Sequence, residues 1–371
     1  MVFFAFREIC GTSVPLLSIV FCLLHSQYAC TGFFQRAERL LPSFCAVRCR
    51  CCRCTVSVSG SEILGFPLRK TTTSSLIYRS YYTMKICLSC NAAFSSDVWI
   101  CPFCFWQPVF RENFPVLAPI HADGGCGFDD ESFNFLFNLE SSSFWFVARN
   151  HLILYFIKRY FPGCRNFLEV GCGTGFVLSS IAANFPQASI SGSELSAHGL
   201  SYASMRLQRG SLLQMDATNI PFYDEFDLIG SFDVLEHVPD DVSALANFHR
   251  ALAPGGGLIL TVPQHDWLWS DTDTMAHHVR RYSRQDIVQK LCQAGFEILK
   301  STSFVSLLLP FMMASRLKKR RSRNEIAGDL RLNPVLNKIF LFVMAVERVL
   351  INRGVNFPVG GSLIIIARKK S

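Results

Sequence analysis

From Ser143 to the C-terminus, short apolar runs alternate with longer amphipathic stretches, which is the spacing of strands that alternate with helices. Phe144-Trp145-Phe146 opens an aromatic helix that runs to Tyr160 and stops at Pro162-Gly163. The pattern then predicts strands at 166–170, 188–192, 226–230, 257–262, 297–301 and 362–368, with helices between them. That order calls for an α/β fold, a doubly wound and mostly parallel sheet with helices on both faces. Residues 1–83 behave differently, showing neither period for long. Their one apolar stretch, 14–24, is too short to span a bilayer and is similar to a weak signal-peptide core. The plainer reading is a non-native or disordered extension, because interpretable sequence begins abruptly at Met84-Lys85-Ile86-Cys87. The expected organisation is therefore an extension at 1–83, a small cysteine module at 84–108, a linker at 109–142 and a main domain at 143–371, with an inserted cap at 303–360.

Composition sharpens this division. Half of the 371 residues are apolar, enough for a large core, and the formal charge is +8. The excess is local: nine Lys/Arg stand against three Asp/Glu before Met84, and 27 against 25 after it. The main domain is close to neutral, so its charge gives no reason to expect a nucleic-acid partner. Eight of the sixteen cysteines also precede Met84, several in the run Cys49-Arg50-Cys51-Cys52-Arg53-Cys54, which has no defensible metal spacing.

Two later pairs do have such spacing. Cys87-Leu88-Ser89-Cys90 and Cys101-Pro102-Phe103-Cys104 are C-x-x-C knuckles separated by ten residues, and four thiolates so placed can close around one structural zinc ion. Free thiols or a redox pair are the alternatives. The module reads as separate from the main domain, so loss of its metal is expected to leave the rest intact. Cys126, Cys164, Cys172 and Cys292 have no evident partner, which fits a reducing, cytoplasmic setting.

The richest segment is Phe167-Leu168-Glu169-Val170-Gly171-Cys172-Gly173-Thr174-Gly175, an apolar strand entering a glycine turn that opens a helix. Glycine suits a turn that a ligand must approach closely. The third glycine comes one residue sooner than in the dinucleotide G-x-G-x-x-G pattern. About twenty residues on, Ser191-Gly192-Ser193-Glu194 places a carboxylate where it can accept hydrogen bonds from both ribose hydroxyls of an adenosyl group. Met215-Asp216-Ala217 and Ile220-Pro221-Phe222 then offer a polar contact and an apolar floor for adenine. The next strand ends in Asp233-Val234-Leu235-Glu236-His237, and Pro254-Gly255-Gly256-Gly257 feeds the one after.

In this order the motifs resemble those of class I S-adenosylmethionine-dependent methyltransferases. The resemblance implies a seven-stranded sheet whose last strand is antiparallel. It also implies a cofactor site at Glu169, Gly171, Cys172, Gly173, Thr174 and Gly175, with Glu194 on the ribose and Asp216 and Ala217 on the adenine. Read singly, any of the glycines could be an ordinary turn glycine, Glu194 could be merely solvated, and Asp216 could be a helix cap.

The acceptor is expected beyond the carboxyl ends of the central strands, where Asp233, Glu236 and His237 are the catalytic candidates. This stretch resembles ubiquinone-biosynthesis O-methyltransferases, in which the corresponding residues can hold a divalent metal. A structural role at a helix start is the alternative. His278, Arg280, Arg281 and Tyr282, in a segment similar to the His-x-Arg-Arg-Tyr stretch of bacterial methyltransferases that modify glycans or lipids, are candidate substrate contacts. Their alternative is a solvated start to a helix at Ser283.

Within the insertion, the apolar pieces 304–314 and 335–351 flank Lys318-Lys319-Arg320-Arg321-Ser322-Arg323. They could rest on an anionic membrane surface, or simply cap the site. The expected function is methyl transfer, O-methylation favoured, to a small-molecule, glycan- or lipid-linked acceptor. Two other classes remain open: a zinc-ribbon binding module carrying a non-catalytic α/β domain, and a nicotinamide-dependent oxidoreductase.

Overall fold

A computed structural model describes residues 84–121, 130–316 and 332–370. The signal-like stretch at 14–24, Cys126 and the basic run 318–323 lie outside the described residues.

The hairpin β1 (Met84–Ile86) and β2 (Ala93–Ser95) forms its own two-stranded sheet. Everything else is organised on β3 (Val109–Arg111), β4 (Phe114–Val116), β5 (Asn166–Val170), β6 (Ser189–Glu194), β7 (Ser211–Gln214), β8 (Phe226–Phe232), β9 (Leu252–Pro263), β10 (Phe296–Phe304) and β11 (Ser362–Lys369). These nine strands lie in the order β10-β11-β9-β8-β5-β6-β7-β4-β3. Strands β4 to β9 run parallel to one another, whereas β3 is antiparallel to β4 and β11 is antiparallel to both β9 and β10. The seven strands from β5 to β11 are the expected sheet, with its antiparallel β11. The hairpin β3–β4 adds two more at one edge, so residues 109–116 extend the sheet, and the expected linker is not one. Strand β7, just four residues long, is a further addition to the strands read from the sequence.

Helices cover both faces: α1 (Asp130–Leu139), α2 (Phe144–Tyr160), α3 (Phe176–Asn184), α4 (Ala197–Arg206), α5 (Asp241–Ala251), α6 (Asp271–Met275), α7 (Arg284–Gln293), α8 (Leu309–Arg316) and α9 (Pro334–Asn352). Polar caps set several of the starts. Asp240 accepts from the Ser243 backbone at 3.0 Å to open α5, and Ser283 accepts from the Asp286 backbone at 3.0 Å to open α7. Strand interiors such as Leu363, Ile364, Ile365 and Ile366 are fully buried, as expected where both faces of a sheet are covered.

The chain leaves β5 for β6 and β7 on one side, then returns to β8 on the other. A crevice opens at such a reversal, outside the carboxyl ends of the strands, and Glu169 sits there, paired across the sheet with both Gly192 and Gly230.

The cysteine module is not a separate body. Ile86 donates to the Pro221 carbonyl at 3.0 Å and Tyr223 to the Met84 carbonyl at 3.1 Å. Trp99 meets Phe222 edge-on at 5.4 Å between ring centroids.

Candidate functional site

The turn after β5 is built on left-handed backbone at Gly171, Gly173 and Gly175, with φ of 75°, 51° and 75°. A side chain on Gly171 would place its Cβ 2.4 Å from Val234 Cγ2, so that position is closed. At Gly173 a Cβ would meet nothing within 4 Å, and the turn therefore presents open backbone on that side.

Two carboxylates flank this opening. Glu194, at the end of β6, accepts from the Gly173 backbone at 2.9 Å through Oε2, and from Leu195 at 2.8 Å and Ser196 at 3.3 Å through Oε1. A carboxylate offers about four acceptor positions, so one remains on Oε2; a second hydroxyl could enter only by displacing the long Ser196 contact. Burial pushes the Glu194 carboxyl above its ordinary value, and these backbone bonds oppose the rise. Glu169 is buried and its Oε2 has no hydrogen-bond partner. Burial drives its pKa well up; the Arg149 guanidinium pulls it down, and Glu140 and Glu194 push it up.

The remaining cofactor candidates divide. Asp216 caps its own turn through the Thr218 backbone at 2.8 Å, while Oδ2 lies 4.0 Å from His121 Nε2, on a turn the sequence did not single out. Ala217 is buried beside it. Cys172 turns its thiol into the core, where a Cβ on Gly192 would lie 3.1 Å from its Sγ, and its backbone N–H is bonded to Ser193 at 2.8 Å. Thr174 is tied into a buried network: its hydroxyl donates to Glu140, and Arg206 bridges Glu140 at 2.5 Å and the Thr174 hydroxyl at 2.7 Å. The side chains of Cys172 and Thr174 therefore hold the turn and do not face a ligand. The proposed adenine floor is also reassigned. Ile220 is fully buried in the core, and Phe222 is sandwiched between Trp99 of the cysteine module and Phe226.

Arg149, on α2, is the central residue that sequence reading missed. It is buried, forms an ion pair with Asp233, and stacks 4.5 Å from the Trp145 ring. Asp233 also accepts from Thr261 at 2.9 Å; its charge reaches Glu236, but it is not part of the possible metal-ligand group that Glu236 and His237 form. Those two meet His278 instead. Ligand atoms of Glu236, His237 and His278 all lie within 4.8 Å of one another. Glu236 is buried with Oε2 unpartnered, and burial followed by the charge of Asp233 holds its carboxyl well above the usual range. Burial first, then His278 and His277, lower His237 to about 3, so its imidazole is neutral at physiological pH.

His278 is oriented by Asp273, whose Oδ1 lies 2.9 Å from Nδ1. Burial would raise the Asp273 carboxyl, but His278, Arg281 and Ser270 outweigh it and hold it well below the ordinary range. With Nδ1 engaged, Nε2 is the nitrogen turned toward Glu236 Oε1, 4.0 Å away.

The other three acceptor candidates are corrected by their surroundings. Tyr282 is fully buried and its hydroxyl donates to Asp241 at 2.7 Å. Arg280 pairs with the same carboxylate at 2.7 Å and donates to the Pro239 carbonyl at 2.7 Å. Arg281 is committed to Asp273 at 2.8 Å and to the Gln264 carbonyl at 3.0 Å. Arg280 and Tyr282 fasten the segment before α7 to the loop after β8 and the start of α5, Arg281 fastens it to α6 and to Gln264 just after β9, and of the four candidates His278 alone joins the Glu236–His237 group.

In the cysteine module, Cys87 and Cys104 stand 3.5 Å apart at sulfur, and Cys90 and Cys101 3.7 Å. Tetrahedral zinc with sulfur at about 2.3 Å requires edges of about 3.8 Å, so the donor set fits zinc. Backbone N–H groups of Ser89 and Cys90 point at Cys87 Sγ from 3.4 and 3.5 Å, as a thiolate ligand would require.

A family profile described as "Methyltransferase domain" matches residues 168–260, from β5 to β9. This segment belongs to a class I methyltransferase domain. A mitochondrial ubiquinone biosynthesis O-methyltransferase of Candida albicans is 33% identical over 122 residues, which cover 31% of this chain and 37% of that protein. A probable S-adenosylmethionine-dependent methyltransferase of Mycobacterium tuberculosis is 26% identical over 164 residues, covering 43% of this chain and 58% of its own length. The chain thus spans less than two thirds of either relative. Among solved structures, a Haemonchus contortus phosphoethanolamine N-methyltransferase 2 is similar at 18% identity with a TM-score of 0.44, covering 66% of this chain and 58% of its own. The methyltransferase domain thus coincides with the glycine turn, Glu169, Glu194 and the Glu236–His237 pair.

Proposed function

We propose that this chain transfers the methyl group of S-adenosylmethionine to a hydroxyl oxygen of a small-molecule or lipid-linked acceptor. The observation that carries the reading is the unpartnered, buried Oε2 of Glu169 beside the open backbone of Gly173. A buried carboxylate oxygen without a partner is costly, and a cationic or N–H-bearing ligand group would relieve it. In this reading Glu169 holds the methionine end, Glu194 a ribose hydroxyl, and Asp216 with Ala217 the adenine. The cofactor supplies an electrophilic methyl group, so the protein's main task is alignment, which can be worth about 7–11 kcal/mol.

Glu194→Ala removes a charged acceptor and strands the Gly173 N–H. At about 1.5–3 kcal/mol per charge-assisted bond, affinity for S-adenosylmethionine should fall about 10- to 100-fold. Calorimetry on a folded variant with unchanged affinity would remove Glu194 from the site.

Oxygen acceptors need a base. We assign it to His278, held in one tautomer by Asp273, in preference to His237, whose lowered pKa makes it a poor proton acceptor. His278→Ala should lower methyl transfer by about 10²- to 10⁴-fold with cofactor affinity unchanged. The measurement is labelled-methyl incorporation into acceptor fractions from the source cells, and undiminished incorporation would return His278 to a structural role. A second reading has one supporting observation, the unpartnered Glu236 Oε2 within ligand distance of both histidines. There, Glu236, His237 and His278 would hold a divalent cation that orients the acceptor oxygen, and a chelator would then abolish transfer. Zinc at Cys87, Cys90, Cys101 and Cys104 is proposed as structural.

A further inference from the structure

We infer that α8 and the outward face of α9 form a docking surface for an anionic membrane, independently of methyl transfer. The inner face of α9 is firmly seated. Met344, Glu347 and Ile351 are buried, and Glu347 accepts from the backbone of Val305, Ser306 and Leu307 at 2.7, 2.7 and 2.8 Å. Asn337 is bonded at both ends of its amide, accepting from Phe144 at the start of α2 and donating to Ser142 just before it, each at 2.8 Å. The orientation of the helix is therefore fixed, and so is what it shows to solvent.

That outward face is apolar. Val335, Ile339, Phe342, Val346 and Val349 recur every three or four residues, the period of one helix face, and run about 21 Å along it. Phe342 is 70% exposed, Val335 66% and Ile339 52%. Phe311 of α8, 63% exposed, continues the surface, its ring 5.8 Å from that of Phe340. No described helix is long and apolar enough to cross a bilayer, so this face lies along a surface and does not span it.

Charge selects the occupant. The one acidic residue of α9 is Glu347, which is buried, while Lys338 and the adjoining Arg353 are exposed. A second copy of the chain would bring this cationic surface against itself with no acidic complement. An anionic lipid surface matches both features, apolar side chains for the acyl boundary and cations for the headgroups.

The test is flotation of the full chain with vesicles of phosphatidylcholine alone or mixed with phosphatidylglycerol. Binding should be strong with the mixed vesicles, weak with the neutral ones, and reduced by added salt. The double substitution Ile339→Glu and Phe342→Glu should reduce binding to the mixed vesicles at least about tenfold, with S-adenosylmethionine-independent thermal stability unchanged because both sites are exposed. Should that variant fail to fold, Phe311→Ser with Phe342→Ser makes the same comparison. Absence of binding to mixed vesicles, equal binding by a folded variant, or a dimer that these substitutions dissolve would each overturn the inference.

Discussion

Chelating the metal proposed at Cys87, Cys90, Cys101 and Cys104 should unfold residues 84–108 and also weaken S-adenosylmethionine binding in the main domain. The first effect follows from size. The module's core is just Cys87, Phe94 and Cys101 with Trp106 against them, far too little to hold a fold without cross-links. Structural zinc contributes an apparent ~10–16 kcal/mol in such units, comparable with the whole net stability of a domain. The second effect comes from docking. The Pro221–Tyr223 stretch is bonded to Ile86 and Met84, and Phe222 packs on Trp99, while Asp216 and Ala217 lie a few residues upstream on the same loop. When the module melts, the loop loses that support, and we expect a several-fold loss of cofactor affinity. Metal analysis should give one zinc per chain, and acid should release it, since the ligands must be thiolates. Protein purified without zinc yet showing an ordered module would contradict this.

Replacing Arg149 with Met should be the most damaging single change in the crevice. Arg149 is the buried cation facing Asp233 and opposing the raised pKa of Glu169. Removing one partner of a buried ion pair costs about 3–5 kcal/mol, because the remaining charge stays desolvated. The pH dependence has a definite sign. Glu169 already has a folded-state pKa above its unfolded value, so the folded chain keeps a proton that the unfolded chain has lost; stability falls as pH rises from about 4.3 through the raised value. Without Arg149 that value rises further and the loss at neutral pH deepens. Arg149→Met with Glu169→Gln should therefore recover part of the stability lost in Arg149→Met alone. Denaturant titration of the two single variants and the double variant measures this, and additive effects would show that Arg149 and Glu169 are not coupled.

The parts of this site that were legible in the sequence are local. A strand, glycine turn and helix lie within residues 166–184, and Glu194 follows at the end of the next strand, so their chemistry and spacing can be read together. Arg149 was not legible because its partner Asp233 is 84 residues away, and on α2 it reads as one polar position in an aromatic helix. Tyr282 misled for the opposite reason: a run of donors looks like a binding surface until Asp241 and the Pro239 carbonyl are found to consume them. Strand β7 carries just two apolar residues, and the β3–β4 hairpin has Pro115 in its second strand, so neither has enough alternation to declare itself. Their partners across the sheet supply the order that the local pattern lacks.

The most direct measurement is calorimetric titration of the purified chain with S-adenosylmethionine, alongside NAD. Our account predicts one S-adenosylmethionine site per chain with Kd in the range of about 1 μM to 1 mM, raised thermal stability on binding, and affinity at least about tenfold lower in Glu194→Ala. No binding heat and no thermal shift with S-adenosylmethionine, or saturable binding of NAD in its place, would contradict it.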